Sequence, residues 1–206
     1  MKKLLLILIL VLICCSFYLI SNTESNLPKA NIKIDNSIQK KLISRVKEVQ
    51  VFTSKHPKFN DSIVFFVDLK IPSGKNRFFI YDLKKNKLID QGLVAHGSGC
   101  ETGIDGRLKF SNVENSYCSS LGKYYVDNSY YGQFGKAYKL HGLDKTNSNA
   151  YTRNIVLHKY SWVPLDVQEE PICNSLGCPM VNEKYFERIE NILDNSEKNI
   201  ILYIYY

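Results

Sequence analysis

The pattern of apolar and polar positions predicts two amphipathic helices, one before and one after a long strand-rich region. Asn36-Ser37 can cap the first helix, which is expected to end before His56-Pro57. Asn182 can cap the second. The apolar residues that recur at helical spacing are Ile38, Leu42, Val46 and Val49 in the first helix, and Tyr185, Phe186, Ile189, Ile192 and Leu193 in the second.

Between and beyond these helices, β-branched and aromatic runs predict strands. The runs lie at residues 63–69, 77–83, 88–95, 123–126, 137–140, 155–158 and 199–206. Pro72-Ser73-Gly74 separates the first two runs, which are expected to form a hairpin. The pattern therefore predicts a mainly β domain flanked by two helices.

The chain begins with Met1-Lys2-Lys3 and an apolar stretch of seventeen residues, 4–20. Such a stretch is typical of a secretory signal or a short membrane anchor, and the sequence leaves both open. We assign residues 1–21 to this segment, 22–35 to a polar linker and 36–206 to one domain, which we expect to be catalytic. Either reading of the first segment places the domain outside the cytoplasm, in a periplasmic, secreted or membrane-anchored form.

Composition narrows the classes of partner. A hydrophobic content of 45% over 206 residues excludes a disordered chain. The net charge is +7, or +5 when Lys2 and Lys3 are set aside. The lysines are scattered along the chain, and no nucleic-acid-binding motif is present. It would suit an anionic wall polymer or lipid surface, or reflect a lysine-rich proteome without a functional role. Nucleic acid is not an expected partner.

Candidate chemistry centres on Ser175-Leu176-Gly177-Cys178, a small-residue turn that presents a cysteine. His158 lies twenty residues upstream, at the end of an apolar run. A thiol becomes a strong nucleophile when a nearby base removes its proton, so this pair predicts a cysteine acyl-transfer enzyme. Cys100, Cys118 and Cys173 are the other cysteines of the domain, and their pairing stays open.

Two further histidines, in His96-Gly97 and His141-Gly142, are candidates for lining the same cleft, because glycine allows close backbone approach to a ligand. His96, His141, His158, Cys100 and Cys178 also offer zinc-type ligands. No C-x-x-C or H-E-x-x-H motif accompanies them, so we predict no metal and no cofactor. A papain-like protease is disfavoured because there the cysteine precedes the histidine.

Together these motifs resemble the L,D-transpeptidase family, in its murein L,D-transpeptidase catalytic-domain branch. The matching stretches are residues 79–83, 94–97, 110–112, 119–122, 140–143, 149–158 and 175–179, in the family's order. The resemblance implies a β-sandwich-like catalytic domain that transfers acyl groups on peptidoglycan stem peptides. Water as the acceptor would make it an L,D-carboxypeptidase, and a non-catalytic envelope-binding protein is the alternative from another class.

The resemblance also implies residue roles. Cys178 would be the nucleophile, His158 its general base and the Lys159 carbonyl the group that orients the imidazole. Gly177 would donate its backbone N–H to the oxyanion. The residues expected to bind substrate are His96, His141, Gly142, Arg153 and Ser175, with Arg153 replacing a cation that many relatives carry after the nucleophile, where this chain has Pro179.

Overall fold

The computed structural model describes residues 34–206, so the predicted signal or anchor and most of the predicted linker lie outside the described residues. Within 34–206, no helix combines the length and apolar character needed to cross a bilayer.

Helix α1 spans Asn36–Lys55 and confirms the first predicted helix. Its N-cap is Asp35, one residue before the expected pair, because the Asp35 carboxylate accepts a 2.7 Å hydrogen bond from Ser37 N. The helix ends at Lys55, with His56 as its C-cap before Pro57, as the restricted backbone ahead of a proline requires. Its buried apolar positions are Leu42, Val46 and Val49.

The strands form one continuous eight-stranded sheet in the order β3-β2-β1-β8-β4-β5-β6-β7. Their bounds are β1 Phe59–Asp68, β2 Phe78–Asp82, β3 Lys87–Gly92, β4 Gly122–Gly132, β5 Gly135–Gly142, β6 Val156–Lys159, β7 Met180–Val181 and β8 Asn199–Tyr205. Helix α2 spans Glu183–Asp194, with Asn182 as its N-cap. The predicted mainly β domain with a helix on each side of the strand-rich region is confirmed.

Alternating side chains of the sheet build two cores, one on each face. Val64 and Phe66 join α1 in one cluster, whereas their neighbours Phe65 and Val67 join α2 in the other. This period of two is what the pleat of a strand imposes. Each fully buried Phe or Val side chain stabilises the fold by about 1.5–3 kcal/mol, so the sheet is fixed from both sides.

The end of the sheet that carries β6 and β7 positions the candidate site. β5 pairs with β6 in antiparallel fashion, and β6 pairs in parallel with the two-residue strand β7, which the sequence pattern did not predict. Helix α2 follows β7 directly and buries Tyr185, Phe186 and Ile189 in the core. The chain just before β7 is therefore held between β6 and a well-packed helix.

Candidate active site

Cys178 lies two residues before β7, where the chain still runs along β6. Tyr160 N donates to Val181 O at 2.9 Å and His158 N to Pro179 O at 3.4 Å. At the next rung Val156 N meets the Cys178 sulfur, Sγ, at 3.4 Å, where a regular strand would present a carbonyl. The thiol therefore lies against the strand that carries His158, one rung away.

A tight turn delivers this thiol. Gly177 has φ +121°, a backbone conformation that favours glycine, and a Cβ there would lie 3.0 Å from both Cys118 O and Ile155 Cδ1. The Ser175 hydroxyl donates to Cys178 O at 2.6 Å and accepts from Gly177 N at 3.0 Å. These contacts fix the turn and place the sulfur against β6.

His158 is 3% exposed and its ring is held on two sides. Nδ1 lies 2.9 Å from Lys159 O, and the ring of Phe134 stacks on the imidazole at 4.8 Å between centroids. A carbonyl can only accept, so the proton resides on Nδ1 and the lone pair on Nε2. The Lys159 carbonyl thus gives His158 the tautomer that a general base needs.

Burial sets both members of the pair to their neutral forms. It raises the pKa of the Cys178 thiol, an effect that the Val156 N–H and the Arg153 charge partly offset. Burial also lowers the pKa of His158, against a smaller rise from its bond to Lys159 O. At neutral pH the site therefore holds a neutral thiol and a neutral imidazole on the same edge of β6. In the resting structure the thiol donates to Asn154 O at 3.7 Å.

Arg153 lies close to the turn, but its guanidinium is already engaged. Nη1 donates to Ser111 O and Ser120 Oγ at 2.9 and 3.3 Å. Nη2 donates to Cys118 O and Ser116 Oγ at 2.7 and 3.2 Å. In this arrangement Arg153 ties the 111–120 loop to the segment before β6, and its charge favours the Cys178 thiolate.

The other expected substrate-binding residues lie elsewhere or serve the fold. His96 is buried between Arg77 Nη2 and Glu101 Oε1, each at 2.8 Å. Ser175 is 5% exposed with its hydroxyl used inside the turn. A Cβ on Gly142 would collide with the Asn147 carbonyl, so this glycine permits backbone packing.

His141 stacks between Tyr125 and Tyr151, at 4.6 and 4.4 Å between centroids. Its Nε2 is 2.9 Å from Asp127 Oδ2 but out of line for a hydrogen bond. On β5 it is four residues from Ala137, the partner of His158, which corresponds to about 13 Å at the rise of a strand. The structure thus brings Cys178, His158, Lys159 and Gly177 together, and it does not gather the three histidines into one site.

Gly177 N–H, the expected oxyanion donor, already donates to Ser175 Oγ. Among the described residues the N–H of Cys178 has no hydrogen-bond partner. This N–H is therefore the free donor next to the sulfur.

Phe134 is the neighbour that the sequence analysis missed. Gly132 ends β4 and Gly135, at φ +79°, begins β5, so Gln133-Phe134 is a two-residue hairpin loop. Two glycines around two residues are a recognisable hairpin signal. The pattern could therefore have predicted the loop, but not that its phenylalanine would cover His158.

No group of three or more His, Cys, Asp or Glu side chains within residues 34–206 is arranged to hold a metal ion. The profile of the L,D-transpeptidase catalytic domain matches residues 33–205. The chain belongs to this family.

Solved structures with similar folds include Pgp2, the helical cell shape determining protein of Campylobacter jejuni, as its K307A mutant. It is 12% identical, with a TM-score of 0.48, and the match covers 69% of this chain and 46% of Pgp2. The L,D-transpeptidase of Enterococcus faecium, as its C442S mutant, is 11% identical, with a TM-score of 0.40 and coverage of 70% and 50%. An L,D-transpeptidase of Mycobacterium tuberculosis is 14% identical, with a TM-score of 0.37 and coverage of 70% and 58%.

This chain thus spans about half the length of these structures. No curated protein matches it significantly.

Proposed function

We propose that this chain is an L,D-transpeptidase that acts on peptidoglycan stem peptides through a thioester on Cys178, with His158 as general base. The observation that carries the proposal is the ladder rung itself. It holds the Cys178 sulfur at Val156 N, next to a histidine whose Nε2 lone pair is set free by the Nδ1 bond to Lys159 O.

In the first half-reaction His158 Nε2 takes the thiol proton as Sγ attacks the amide carbonyl that precedes the terminal D-residue of a stem. The C–N bond breaks, a thioester forms, and the imidazolium returns the proton to the departing amine. General base catalysis of this kind contributes about 10²–10⁴-fold. We assign the oxyanion to the unpartnered N–H of Cys178, since Gly177 N–H is used by Ser175.

In the second half-reaction an amine of another stem attacks the thioester and regenerates the thiol. The surroundings of His158 favour this acceptor over water. Phe134 covers one face of the imidazole, and Tyr160 packs edge-on against Phe134 at 5.7 Å. Because His158 is 3% exposed, bulk water has little access to the base. Hydrolysis, which would make the enzyme an L,D-carboxypeptidase, is the minor outcome in this account.

The site acts on a wall polymer, so we place the domain outside the cytoplasm. Residues 1–21 would then export it or tether it to the membrane, with stem peptides as its substrate partner.

The test is incubation of purified protein with disaccharide-tetrapeptide muropeptides, followed by separation and mass analysis of the products. We expect cross-linked dimers, together with a smaller amount of trimmed monomer. The Cys178→Ala variant is the matched control and should give neither product. Trimmed monomer alone would make the chain a carboxypeptidase. Binding of muropeptides without any product would identify a non-catalytic envelope protein.

A further inference from the structure

Two cysteines, Cys100 and Cys118, take no part in the proposed reaction. Both side chains are buried, at 0% and 2% exposure. Ser119 N donates to the Cys100 sulfur at 3.1 Å, and Gly99 N donates to Tyr117 O at 3.0 Å, so the two backbone segments run side by side. The two cysteines are unbridged in the structure, and a Cβ on Gly99, the residue before Cys100, would lie 3.0 Å from Cys118 N.

We propose that Cys100 and Cys118 form a disulfide that braces the loop between them against the nucleophile turn. A disulfide requires Cα atoms about 4.4–6.8 Å apart. Cys100 ends a short 3-10 turn, Ser98–Cys100, and its sulfur already lies 3.1 Å from the backbone N of Ser119, the residue after Cys118. Since the two segments are already side by side, the disulfide can form with little movement of the backbone.

The loop between these cysteines has few means of its own to hold a shape. Apart from the isolated bridge between Glu101 and Leu108, residues 101–117 contain turns and extended segments without a helix or a strand. Asn115 and Tyr117 have φ values of +56° and +52°, which is costly for residues other than glycine. Such backbone persists where neighbouring structure fixes it, and a covalent link at the end of the loop would do so.

This loop end also forms one wall of the candidate site. Cys118 O accepts from Arg153 Nη2 at 2.7 Å. The next residue, Ser119, donates its hydroxyl to Gly177 O at 3.2 Å and accepts from Gly97 N at 3.0 Å. A bond at Cys118 would therefore stabilise the groups that hold the turn carrying Cys178.

The proposed pairing also accounts for which of the four cysteines in the described residues are bridged and which stay free. Cys173 packs against an apolar cluster that contains Leu93, Val163 and Met180, away from this loop. Cys178 is held at the edge of β6. Linking Cys100 to Cys118 leaves the proposed nucleophile as a free thiol in an oxidising compartment outside the cytoplasm, where we place the domain. In this respect the inference rests on the proposed function, but its chemistry can be tested independently.

Formation requires an external disulfide, such as oxidised glutathione or a protein oxidant. One thiolate of the pair attacks it and releases a thiol, and the second thiolate attacks the mixed disulfide and releases the other thiol. The two cysteines are oxidised while the external disulfide is reduced to two thiols. Burial raises the pKa of Cys100 to about 12 in the folded protein. We therefore expect the bond to form during folding, before the loop closes.

The test is to refold the full chain in a glutathione buffer poised at extracytoplasmic redox potential, to alkylate free thiols, and to digest with trypsin without reduction. Arg107 and Lys109 lie between the two cysteines, so trypsin leaves them on separate peptides, 88–107 and 110–123. Cys173 and Cys178 both fall on peptide 160–184. We expect 88–107 linked to 110–123, with 160–184 alkylated at both positions.

Melting temperature provides the second readout. Adding reductant during refolding should lower it by about 5–10 °C in the wild type, as expected for loss of a disulfide in a domain of this size. The same comparison should show no reductant effect in Cys118→Ala, and a normal effect in the matched control Cys173→Ala.

Absence of the linked peptide, or a link that involves Cys173 or Cys178, would overturn the pairing. A linked peptide whose reduction leaves the melting temperature unchanged would overturn the bracing role. Neither result depends on turnover of muropeptides, so failure here is distinguishable from failure of the proposed function.

Discussion

Two regions of this domain each hold a buried histidine with a cysteine nearby in the fold, and they differ in how the histidine is bonded. At the β6–β7 edge, His158 Nδ1 faces a carbonyl, Lys159 O. In the loop after β3, His96 Nδ1 faces a donor, Arg77 Nη2, and Nε2 faces the carboxylate of Glu101. The two histidines are almost equally buried, at 3% and 4% exposure.

The partners dictate opposite tautomers. Arginine can only donate, so Nδ1 of His96 must accept, and its proton resides on Nε2, where Glu101 accepts it. Both nitrogens are used and neither can take a proton from a thiol. His158 carries its proton on Nδ1 and keeps a lone pair on Nε2. Burial alone therefore does not mark a catalytic histidine, whereas the partner of its other nitrogen does.

The largest expected difference between the two regions is the loss of turnover when the cysteine of each region is replaced. Cys178→Ala should reduce transpeptidation by at least about 10⁴-fold, since it removes the nucleophile. Cys100→Ala, in the His96 region, should lower turnover far less, because it keeps the nucleophile and removes only the proposed brace of its turn. The measurement is the initial rate of dimer formation per folded protein. A Cys178→Ala variant that still forms dimers would remove the distinction between the two regions.

The histidines come next. His158→Ala should lower kcat by about 10²–10⁴-fold, because the thiol loses its base. It should also slow the alkylation of Cys178 by iodoacetamide at neutral pH. His141→Gln is the matched control, since His141 lies about 13 Å along the sheet and should leave both rates near wild type. Equal rates of Cys178 alkylation in wild type and His158→Ala would contradict the role of His158.

His96→Ala should act on stability. It leaves the buried Arg77 guanidinium without one acceptor, which costs about 1–3 kcal/mol in the free energy of unfolding. Urea denaturation measures this loss, and His96→Gln, which retains an acceptor, should recover part of it. An unfolding free energy unchanged in His96→Ala would show that the Arg77–His96–Glu101 chain does not support the fold.

Stability should also fall on the acid side of neutrality. Burial lowers the pKa of His158, and burial together with the Arg77 charge lowers that of His96, from a usual value of 6.5. The unfolded chain therefore binds protons that the folded protein rejects, and the stabilisation present above pH 6.5 is lost as the pH decreases further. Urea unfolding at a series of pH values should show this loss, with a shallower slope in His96→Gln. A slope identical to wild type would contradict the depressed pKa of His96.

The smallest expected effect concerns Lys159. Only its carbonyl contacts His158, so Lys159→Ala should keep kcat within about twofold to threefold of wild type, the range for substitutions that break no specific contact. A large loss of kcat in Lys159→Ala would show that the lysine side chain takes part in the reaction.

Much of this architecture could be predicted from the sequence because it depends on local signals. Helical spacing and the N-cap Asn182 predicted α2, and β-branched runs predicted most strands to within a few residues. β7 has two residues, too few for a periodic pattern, and it forms because β6 offers a free edge. Its pairing with β6 sets the rung on which Cys178 lies.

The motif around Cys178 and the position of His158 also led to the candidate pair. The sequence could not show that Arg153 would be engaged by the 111–120 loop, or that His96 would be bonded to Arg77. These are long-range contacts, and nothing in local spacing encodes which donor meets which acceptor. For the same reason the side-by-side course of the Cys100 and Cys118 segments appears only in the folded chain.

The most direct test of the central claim is acid-quenched mass spectrometry of the protein during turnover of a tetrapeptide muropeptide. Peptide 160–184 should gain the mass of the acyl donor minus that of the released free amino acid, and fragmentation should place the adduct on Cys178 and not on Cys173. The adduct should accumulate far more slowly in His158→Ala. An adduct on another residue, or turnover without any covalent intermediate, would contradict the account.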